Sequence, residues 1–169
     1  MTILSHRQLL LLAYESASNS IHPSTQVGSL LYYPRLDGGV PYAETTGNNT
    51  IPSGLIDSLD RWSSPFTRNQ YVEHSERSTI YAAARQGICT DLLGMVATWA
   101  ACADCARAII AAGITEVLTD ARSYERTTPE WRDTVLLGRE MMKEAGVKVI
   151  DYNGPLIGEL RQGGEFFTL

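Results

Sequence analysis

The alternation of short apolar runs with helical segments after residue 72 constrains the fold more than any other feature of the sequence. Helical patterns cover residues 73–86, 102–112 and 129–145, and β-rich runs follow them at 95–99, 116–118 and 147–151. Parallel strands need long crossover connections, which are usually helices. The alternation therefore predicts an α/β fold, a three-layer α/β/α sandwich with helices on both faces of the sheet.

The N-terminal part adds a leading helix and a hairpin. Ser5 is a candidate N-cap for a helix over residues 5–18. Two β-rich runs, 27–33 and 42–46, flank the turn-forming sequence Asp37-Gly38-Gly39. Because this hairpin adds antiparallel strands to the parallel ones, we expect a five-stranded mixed sheet.

The chain is predicted to form one domain. Its 169 residues, 44% of them hydrophobic, are enough for one core and too few for two ordinary domains. The core is expected to span about residues 5–151, with 152–169 as a C-terminal extension. Residues 47–70 show no clear apolar period and are predicted to form a long loop, a type of segment that often carries function.

Charge and composition narrow the classes of partner. Fourteen basic against nineteen acidic residues give a net charge of −5, which argues against a nucleic-acid polymer and favours a small molecule. The sequence shows no membrane-spanning stretch and no leader, so we expect a cytoplasmic protein without membrane contact. Three cysteines are an odd number, which makes thiol or metal chemistry a better expectation than a disulfide framework.

Two short motifs, His74-Ser75-Glu76 and Cys102-Ala103-Asp104-Cys105, each stand at the start of a predicted helix. A catalytic zinc takes three protein ligands in a tetrahedral arrangement and leaves the fourth position for water. The partial positive charge at a helix start also favours the thiolate form of cysteine. The motifs therefore predict a zinc site with one imidazole and two thiolates: His74, Cys102 and Cys105.

Glu76 follows His74 by two residues and can point over the water at such a metal. Zinc lowers the pKa of its water from the much higher value of bulk water to about 7, which makes hydrolysis feasible at neutral pH. Attack on an amidine-like ring carbon needs one proton delivered to the ring nitrogen and another to the departing amine. One carboxyl group can carry both protons, so Glu76 is the predicted general acid and base.

Other interpretations of these residues remain open at this point. Cys102 and Cys105 also fit an exchanging dithiol in a redox protein, and the same metal ligands fit a catalytically silent zinc fold that acts as a binding module. Asn49 fits a simple turn residue. His22 is predicted to be a surface histidine, and Cys89 a free thiol in the core.

The sequence resembles a known enzyme family. H-x-E followed by C-x-x-C is the signature of zinc-dependent nucleobase deaminases, and within them the chain is most similar to the deoxycytidylate (dCMP) deaminases. Three further stretches carry the resemblance: Pro23 to Gly28, Gly47-Asn48-Asn49 with Pro52 and Gly54, and the segment from Cys105 to Ile114. The likeness covers roughly residues 24–150 and implies a cytidine deaminase-like fold.

The resemblance implies hydrolytic deamination of dCMP, or of a C5-modified dCMP, to the uracil nucleotide and ammonia. It implies one Zn²⁺ per chain and catalysis by Glu76, with Asn49 bonded to the sugar or base. Deaminases of guanine, cytidine or tRNA adenosine share the zinc core and stay as alternatives. The family also implies a homo-oligomer and, in members regulated by dCTP and dTTP, Mg²⁺ with the nucleotide effector.

Further substrate contacts are predicted from position. Ser78 and Ala101 stand where the family has Asn and Pro, and Trp99 and Tyr124 are candidates for an aromatic wall, as is Trp131. The Arg that the family carries in its P-x-G loop is replaced here by Ser53. Three other arginines are therefore candidates for contact with a 5′-phosphate: Arg68, Arg77 and Arg122.

Overall fold

The structure is a computed structural model. It describes residues 2–156, 159–162 and 165–168. The helices of this part of the chain are α1 (His6–Ser18), α2 (Leu59–Trp62), α3 (Pro65–Tyr71), α4 (Ser75–Arg85), α5 (Ala103–Ala111), α6 (Ala121–Glu125) and α7 (Pro129–Glu144). The strands are β1 (Leu4–Ser5), β2 (Gly28–Arg35), β3 (Gly38–Asn48), β4 (Gly94–Ala97), β5 (Glu116–Asp120), β6 (Lys148–Tyr152), β7 (Glu159–Gln162) and β8 (Glu165–Thr168).

The main sheet has the order β1-β3-β2-β4-β5-β6. Strands β4, β5 and β6 are parallel, whereas β2 pairs antiparallel with both β3 and β4. The predicted mixed sheet and α/β class are confirmed. The predicted number of five strands is wrong, because β1 adds a sixth by pairing with Gly39 and Gly38. Two residues are too few to show an alternating pattern, so this strand could not be predicted from the sequence.

The C-terminal segment contains a second, two-stranded sheet. In the predicted extension over residues 152–169, β7 and β8 pair antiparallel. The rest of that prediction, at residues 157–158, 163–164 and 169, lies outside the described residues.

Helix α1 covers one face of the main sheet. Its buried side chains, Leu9 and Leu10 among them, pack with Leu30 and Tyr32 of β2 and with Leu118 of β5. The helix approaches the sheet closely, since a Cβ on Gly28 would lie 2.1 Å from the carbonyl oxygen of Ala13. Glycine at position 28 is therefore a requirement of this packing.

Helices α4, α5 and α7 pack on the opposite face. Their core includes Met95 and Val117 from the sheet with Cys105 and Ile109 from α5. Gly138 of α7 lies against the segment before α5, where a Cβ would be 2.6 Å from the carbonyl oxygen of Ala101. The three predicted layers are thus present, and the start of α5 is held between the sheet and α7.

Residues 47–70 differ from the predicted loop because they contain α2 and α3. Neither helix has a buried side chain, so no apolar period was available to reveal them. Their starts nevertheless carry ordinary signals: Ser64 caps α3 by accepting from the N–H of Thr67, and Pro65 occupies its first turn. Among the described residues, every helix is too short or too polar to traverse a lipid bilayer.

Candidate functional site

The side chains of His74, Cys102 and Cys105 meet in space. His74 is the N-cap of α4, Cys102 is the N-cap of α5, and Cys105 lies in the first turn of α5. The His74 Nδ1 atom is 3.6 Å from the sulfur of Cys102 and 3.5 Å from that of Cys105. A tetrahedral zinc with Zn–S of about 2.3 Å and Zn–N of about 2.0 Å has N···S edges of about 3.5 Å. The donor set therefore fits zinc in both chemistry and spacing, as the sequence predicted.

The electrostatics of the three groups favour a charged cluster. A hydrogen bond from Cys105 lowers the pKa of Cys102, burial opposes this effect, and the hydrogen bond and charge of His74 add to it, so that the pKa falls to about 4. The same hydrogen bond and burial raise the pKa of Cys105. Burial alone would lower the pKa of His74, but its hydrogen bond to Cys102 and the charge of Glu76 outweigh that effect and raise it. The low pKa of Cys102 makes it the thiolate of the cluster. A metal cation that binds the three side chains can displace the protons that they hold.

Glu76 is buried beside this cluster, with 3% of its surface exposed. The Ser75 hydroxyl donates a hydrogen bond of 3.1 Å to its Oε2. Burial raises the pKa of the Glu76 carboxyl, although the positive charge of His74 acts in the opposite direction. A carboxyl group whose pKa is raised by burial holds a proton more readily than an exposed one, which suits it to exchange protons with a substrate.

Asn49 is also buried, and it holds three segments together. Its Oδ1 accepts from the backbone N–H of Ser75 at 3.1 Å, and its Nδ2 donates to the carbonyl of Thr25 at 3.3 Å. Its own carbonyl accepts from the Ser20 hydroxyl at 2.7 Å. Since an amide nitrogen carries two hydrogens, one N–H of Asn49 is not needed by Thr25.

A cavity of about 680 Å³ opens in front of the cluster. Nucleotide-sized ligands occupy cavities of this order. Helix starts, loops and α3 all contribute to its wall, through residues that include His22, Thr25, Asn49, Arg68, Asn69, His74, Glu76, Trp99, Cys102, Arg126, Glu130 and Trp131. The ring centroids of His74 and Trp131 are 5.6 Å apart, which places this aromatic side chain next to the predicted ligands.

Apart from the arginines, ten residues were predicted at the site, and six of them line this cavity: His74, Glu76, Cys102, Asn49, Trp99 and Trp131. Cys105 lies directly behind as part of the cluster. The three that the structure places elsewhere are Ser78, Ala101 and Tyr124, which are absent from the wall.

Each of those three departures has a structural reason. Ser78 lines a separate cavity of about 510 Å³ with residues of α1 and β3. At about 100° per residue, two positions after Glu76 bring its side chain to the far side of α4. Ala101 is packed in the core behind Cys102, and Tyr124 belongs to α6, outside the wall of the site cavity.

Sequence reasoning missed His22 and Arg126. His22 was predicted at the surface but is buried, and its Nδ1 accepts from the N–H groups of Ser24 and Thr25. The Pro23-Ser24-Thr25 turn was a signal for such a local bond. Cys89 was predicted in the core but is exposed, since the segment between α4 and β4 runs over the surface.

The three arginines predicted to meet a phosphate occupy different positions. Arg122 is engaged with Asp120, to which its Nη2 donates at 2.8 Å. Arg77 pairs with Glu73 and places its Nη1 3.9 Å from the sulfur of Cys105. Of the three candidates, Arg68 is the one that lines the cavity.

Comparison with known proteins agrees with this geometry. The family model for the cytidine and deoxycytidylate deaminase zinc-binding region matches residues 4–121. A search of the curated proteins found no match.

Solved structures share the fold. The dCMP deaminase of cyanophage S-TIM5 in complex with dCMP and dUMP is 20% identical, covers 85% of this chain and 93% of that chain, and has a TM-score of 0.62. The Thermotoga maritima diaminohydroxyphosphoribosylaminopyrimidine deaminase/5-amino-6-(5-phosphoribosylamino)uracil reductase is 19% identical over 86% of this chain and 36% of that chain, with a TM-score of 0.58. A mutant of NE0047 in complex with 8-azaguanine is 14% identical, covers 89% of this chain and 78% of that chain, and has a TM-score of 0.53. Such identities establish the likeness of fold and nothing about the substrate.

Proposed function

This chain belongs to the family defined by the cytidine and deoxycytidylate deaminase zinc-binding region, and on that premise we propose that it deaminates a cytosine deoxynucleotide. The substrate is dCMP or a C5-modified dCMP, and the products are the uracil nucleotide and ammonia. The observation that carries the proposal is the buried Glu76 carboxyl beside a His/Cys/Cys cluster at the wall of a nucleotide-sized cavity.

His74, Cys102 and Cys105 would hold one Zn²⁺ per chain. When bound, zinc supplies Lewis-acid chemistry that lowers the pKa of a coordinated water and makes it nucleophilic at neutral pH. The helix starts that carry His74 and Cys102 orient both ligands through the backbone, because each is the N-cap residue of its helix. Burial of the thiols keeps competing water away from the sulfurs.

Glu76 performs the proton transfers. Its carboxylate takes a proton from the attacking water as the new C–O bond forms at C4 of the base, and delivers it to the ring nitrogen N3. It then helps transfer a proton to the exocyclic amine, so that the C4–N bond breaks and ammonia leaves. The Ser75 hydroxyl, 3.1 Å from Oε2, keeps the carboxyl group oriented during both transfers.

The remaining wall would hold the nucleotide. The uncommitted N–H of Asn49 donates to the sugar or to the base, and the same side chain fixes the start of α4 through Ser75. Trp99 and Trp131 supply aromatic surface against the base. The dCMP and dUMP bound by the cyanophage neighbour support a cytosine nucleotide as the first substrate to test.

The test is a substrate panel with the zinc-loaded protein. We expect loss of the cytosine ultraviolet band with dCMP or a C5-modified dCMP. Deoxycytidine, cytidine, guanine and a tRNA with a target adenosine serve as the competing substrates, the guanine arm being motivated by the 8-azaguanine bound to NE0047. The proposal is wrong if no cytosine compound is turned over by protein that carries zinc.

Metal analysis separates the deaminase from the redox and binding-module interpretations. We expect about one zinc per chain in the wild type and loss of that zinc in His74→Ala. A metal-free protein with a reversible Cys102–Cys105 disulfide would instead support dithiol exchange. Stoichiometric zinc without turnover of any panel member would support the binding module.

Homo-oligomer formation, a cytoplasmic location and an Mg²⁺–nucleotide effector stay predictions from the resemblance. Light scattering measures the oligomeric state, and dCMP kinetics with and without dCTP, dTTP and Mg²⁺ test the effector.

A further inference from the structure

Arg68 is a half-buried arginine that combines a place on the cavity wall with an unsatisfied hydrogen-bond donor. It lies on α3 and lines the cavity, and its Nη1 donates a long hydrogen bond of 3.5 Å to the carbonyl of Trp62. Its Nε is buried and has no hydrogen-bond partner among the residues that the structure describes. Within the described part of the chain Arg68 forms no ion pair, in contrast to Arg77, Arg107, Arg122 and Arg139, each of which pairs with a carboxylate.

A buried guanidinium N–H without an acceptor costs free energy, and arginine cannot avoid the cost by losing its proton. The planar edge formed by Nε and one Nη matches two oxygens of a phosphate or carboxylate, which accept two parallel hydrogen bonds. The helix itself offers no such group, because α3 has the sequence PFTRNQY, which contains no acidic residue. An anionic ligand in the cavity would supply the missing acceptor.

His22 is a second donor on the same wall. Its Nδ1 accepts from the backbone N–H groups of Ser24 and Thr25 at 3.3 and 3.0 Å, so the neutral ring carries its proton on Nε2. The ring stands edge-on to Trp62, with centroids 5.7 Å apart and planes at 88°. The local structure thus fixes both the orientation of the ring and the nitrogen that donates.

The charges around this part of the cavity suit an anion. Arg68 and Arg126 line the wall, and its carboxylates are Glu76, which belongs to the metal cluster, and the exposed Glu130. The catalytic groups come from the starts of α4 and α5, whereas the donors His22 and Arg68 come from other segments. A ligand with a base at one end and a phosphate at the other matches that division.

Resting on the proposed function, we propose that Arg68 binds the 5′-phosphate of the substrate, with His22 as a second donor, and so selects a nucleoside 5′-monophosphate over the nucleoside. Arg68 is then the specificity-determining residue of the site. Its side chain acts on binding and leaves the proton transfers to Glu76.

The kinetic test compares dCMP with deoxycytidine in Arg68→Gln. We expect kcat/KM for dCMP to fall about 10- to 100-fold, mostly through KM, because two charge-assisted hydrogen bonds are lost. Turnover of deoxycytidine should be unchanged. Arg61→Gln is the matched control, because Arg61 lies on neighbouring α2, stacks over Tyr71 and does not line the cavity, while the charge change is identical.

A binding measurement makes the result independent of turnover. Calorimetry of the zinc-loaded wild type should give tighter binding of dUMP than of deoxyuridine, and Arg68→Gln should remove the difference. Arg68→Lys, which keeps the charge but not the two-bond edge, should restore part of it. Inorganic phosphate at millimolar concentration should weaken dUMP binding to the wild type and leave deoxyuridine binding unchanged.

The two proposals fail in different ways. Equal binding of dUMP and deoxyuridine by the wild type, or an equal loss for both ligands in Arg68→Gln, overturns the phosphate role even if cytosine compounds are turned over. Failure to turn over any cytosine compound overturns the deaminase proposal, while phosphate-dependent binding through Arg68 would still stand. Circular dichroism of Arg68→Gln and Arg68→Lys verifies that both variants fold.

Discussion

The helices on the two faces of the sheet begin in different ways. On one face, α1 starts with a complete capping box, in which Ser5 accepts from the N–H of Gln8 and Gln8 accepts from the N–H of Ser5. On the other face, the N-cap residues of α4 and α5 are His74 and Cys102, and neither makes a side-chain capping bond. The positions that usually stabilise a helix start are occupied there by the predicted metal ligands.

Remote side chains compensate for the missing caps. The first N–H of α4, at Ser75, donates to Asn49 at 3.1 Å, and the first N–H of α5, at Ala103, donates to the hydroxyl of Thr134 at 3.1 Å. Thr134 belongs to α7, so the site depends on tertiary contacts that α1 does not need. Helix α1 is therefore encoded by its own sequence, whereas the site is stabilised by contacts of the assembled fold.

Removal of the predicted acid and base should have the largest effect. In Glu76→Gln we expect turnover to fall by about 10²- to 10⁴-fold, because the amide cannot accept and release a proton. Zinc content should stay near one per chain, which metal analysis verifies. Ser29→Ala is the control for a buried polar group away from the cavity wall. Normal turnover by Glu76→Gln would contradict the assigned role.

Substitution of the two tightly packed glycines, Gly28 and Gly138, should have the next largest effect. One lies on each face of the sheet, so the two variants compare the faces. Gly28→Ala pushes β2 from α1, and Gly138→Ala pushes α7 from the segment that carries Cys102. Overpacking of this kind costs about 1–3 kcal/mol, so both should lower the unfolding temperature. Gly138→Ala alone should also weaken zinc binding in a chelator competition. Equal zinc affinities in the two variants would show that the site tolerates movement of α7.

A fall in pH should destabilise the two faces of the sheet in different pH ranges. Burial and the nearby charges of Arg68 and His74 lower the pKa of His22 to about 4. Since unfolded histidine titrates near pH 6.5, the stability that this group provides is complete above that pH and is lost as the pH falls towards 4. We expect the wild type to lose about 2 kcal/mol more than His22→Gln between pH 7 and pH 5 in urea unfolding.

Asp120, which bonds Tyr14 of α1, provides the contrast. Burial raises its pKa, but hydrogen bonds from Arg122 and Tyr14 outweigh that effect and lower it. Its contribution is therefore present above the normal pKa of an aspartate and is lost only at more acidic pH. Between pH 7 and pH 5, Asp120→Asn should lose as much unfolding free energy as the wild type does. A different loss would contradict the assignment of this pH dependence to His22.

The smallest effects are expected from the caps themselves. Ser5→Ala and Thr134→Val each remove one hydrogen bond to a helix start, at a cost of about 1 kcal/mol in unfolding free energy. Only Thr134→Val should also reduce turnover, because it loosens the first turn of α5. Urea unfolding and dCMP kinetics of the two variants check this prediction. Equal kinetics would contradict the conclusion that only the face with α4 and α5 supports the site.

The sequence was most informative where structure is local. The capping residue Ser5, the turn at Asp37 and the two motifs were sufficient to predict α1, the hairpin and the metal cluster. It was least informative where a role arises from assembly. The sequence offered Arg68 only as one of three candidate arginines, and His22 was predicted at the surface, because the cavity wall that they share forms only when the chain has folded.

Helices α2 and α3 contribute no buried side chain. Replacement of residues in them therefore leaves the core and the metal ligands untouched, whereas a change at Asn49 disturbs the start of α4 as well. Selection for a new substrate can act on α3 with little penalty in folding. This short segment is accordingly where we expect descendants of one ancestral enzyme to diverge, and where a laboratory library aimed at altered substrate range is best concentrated.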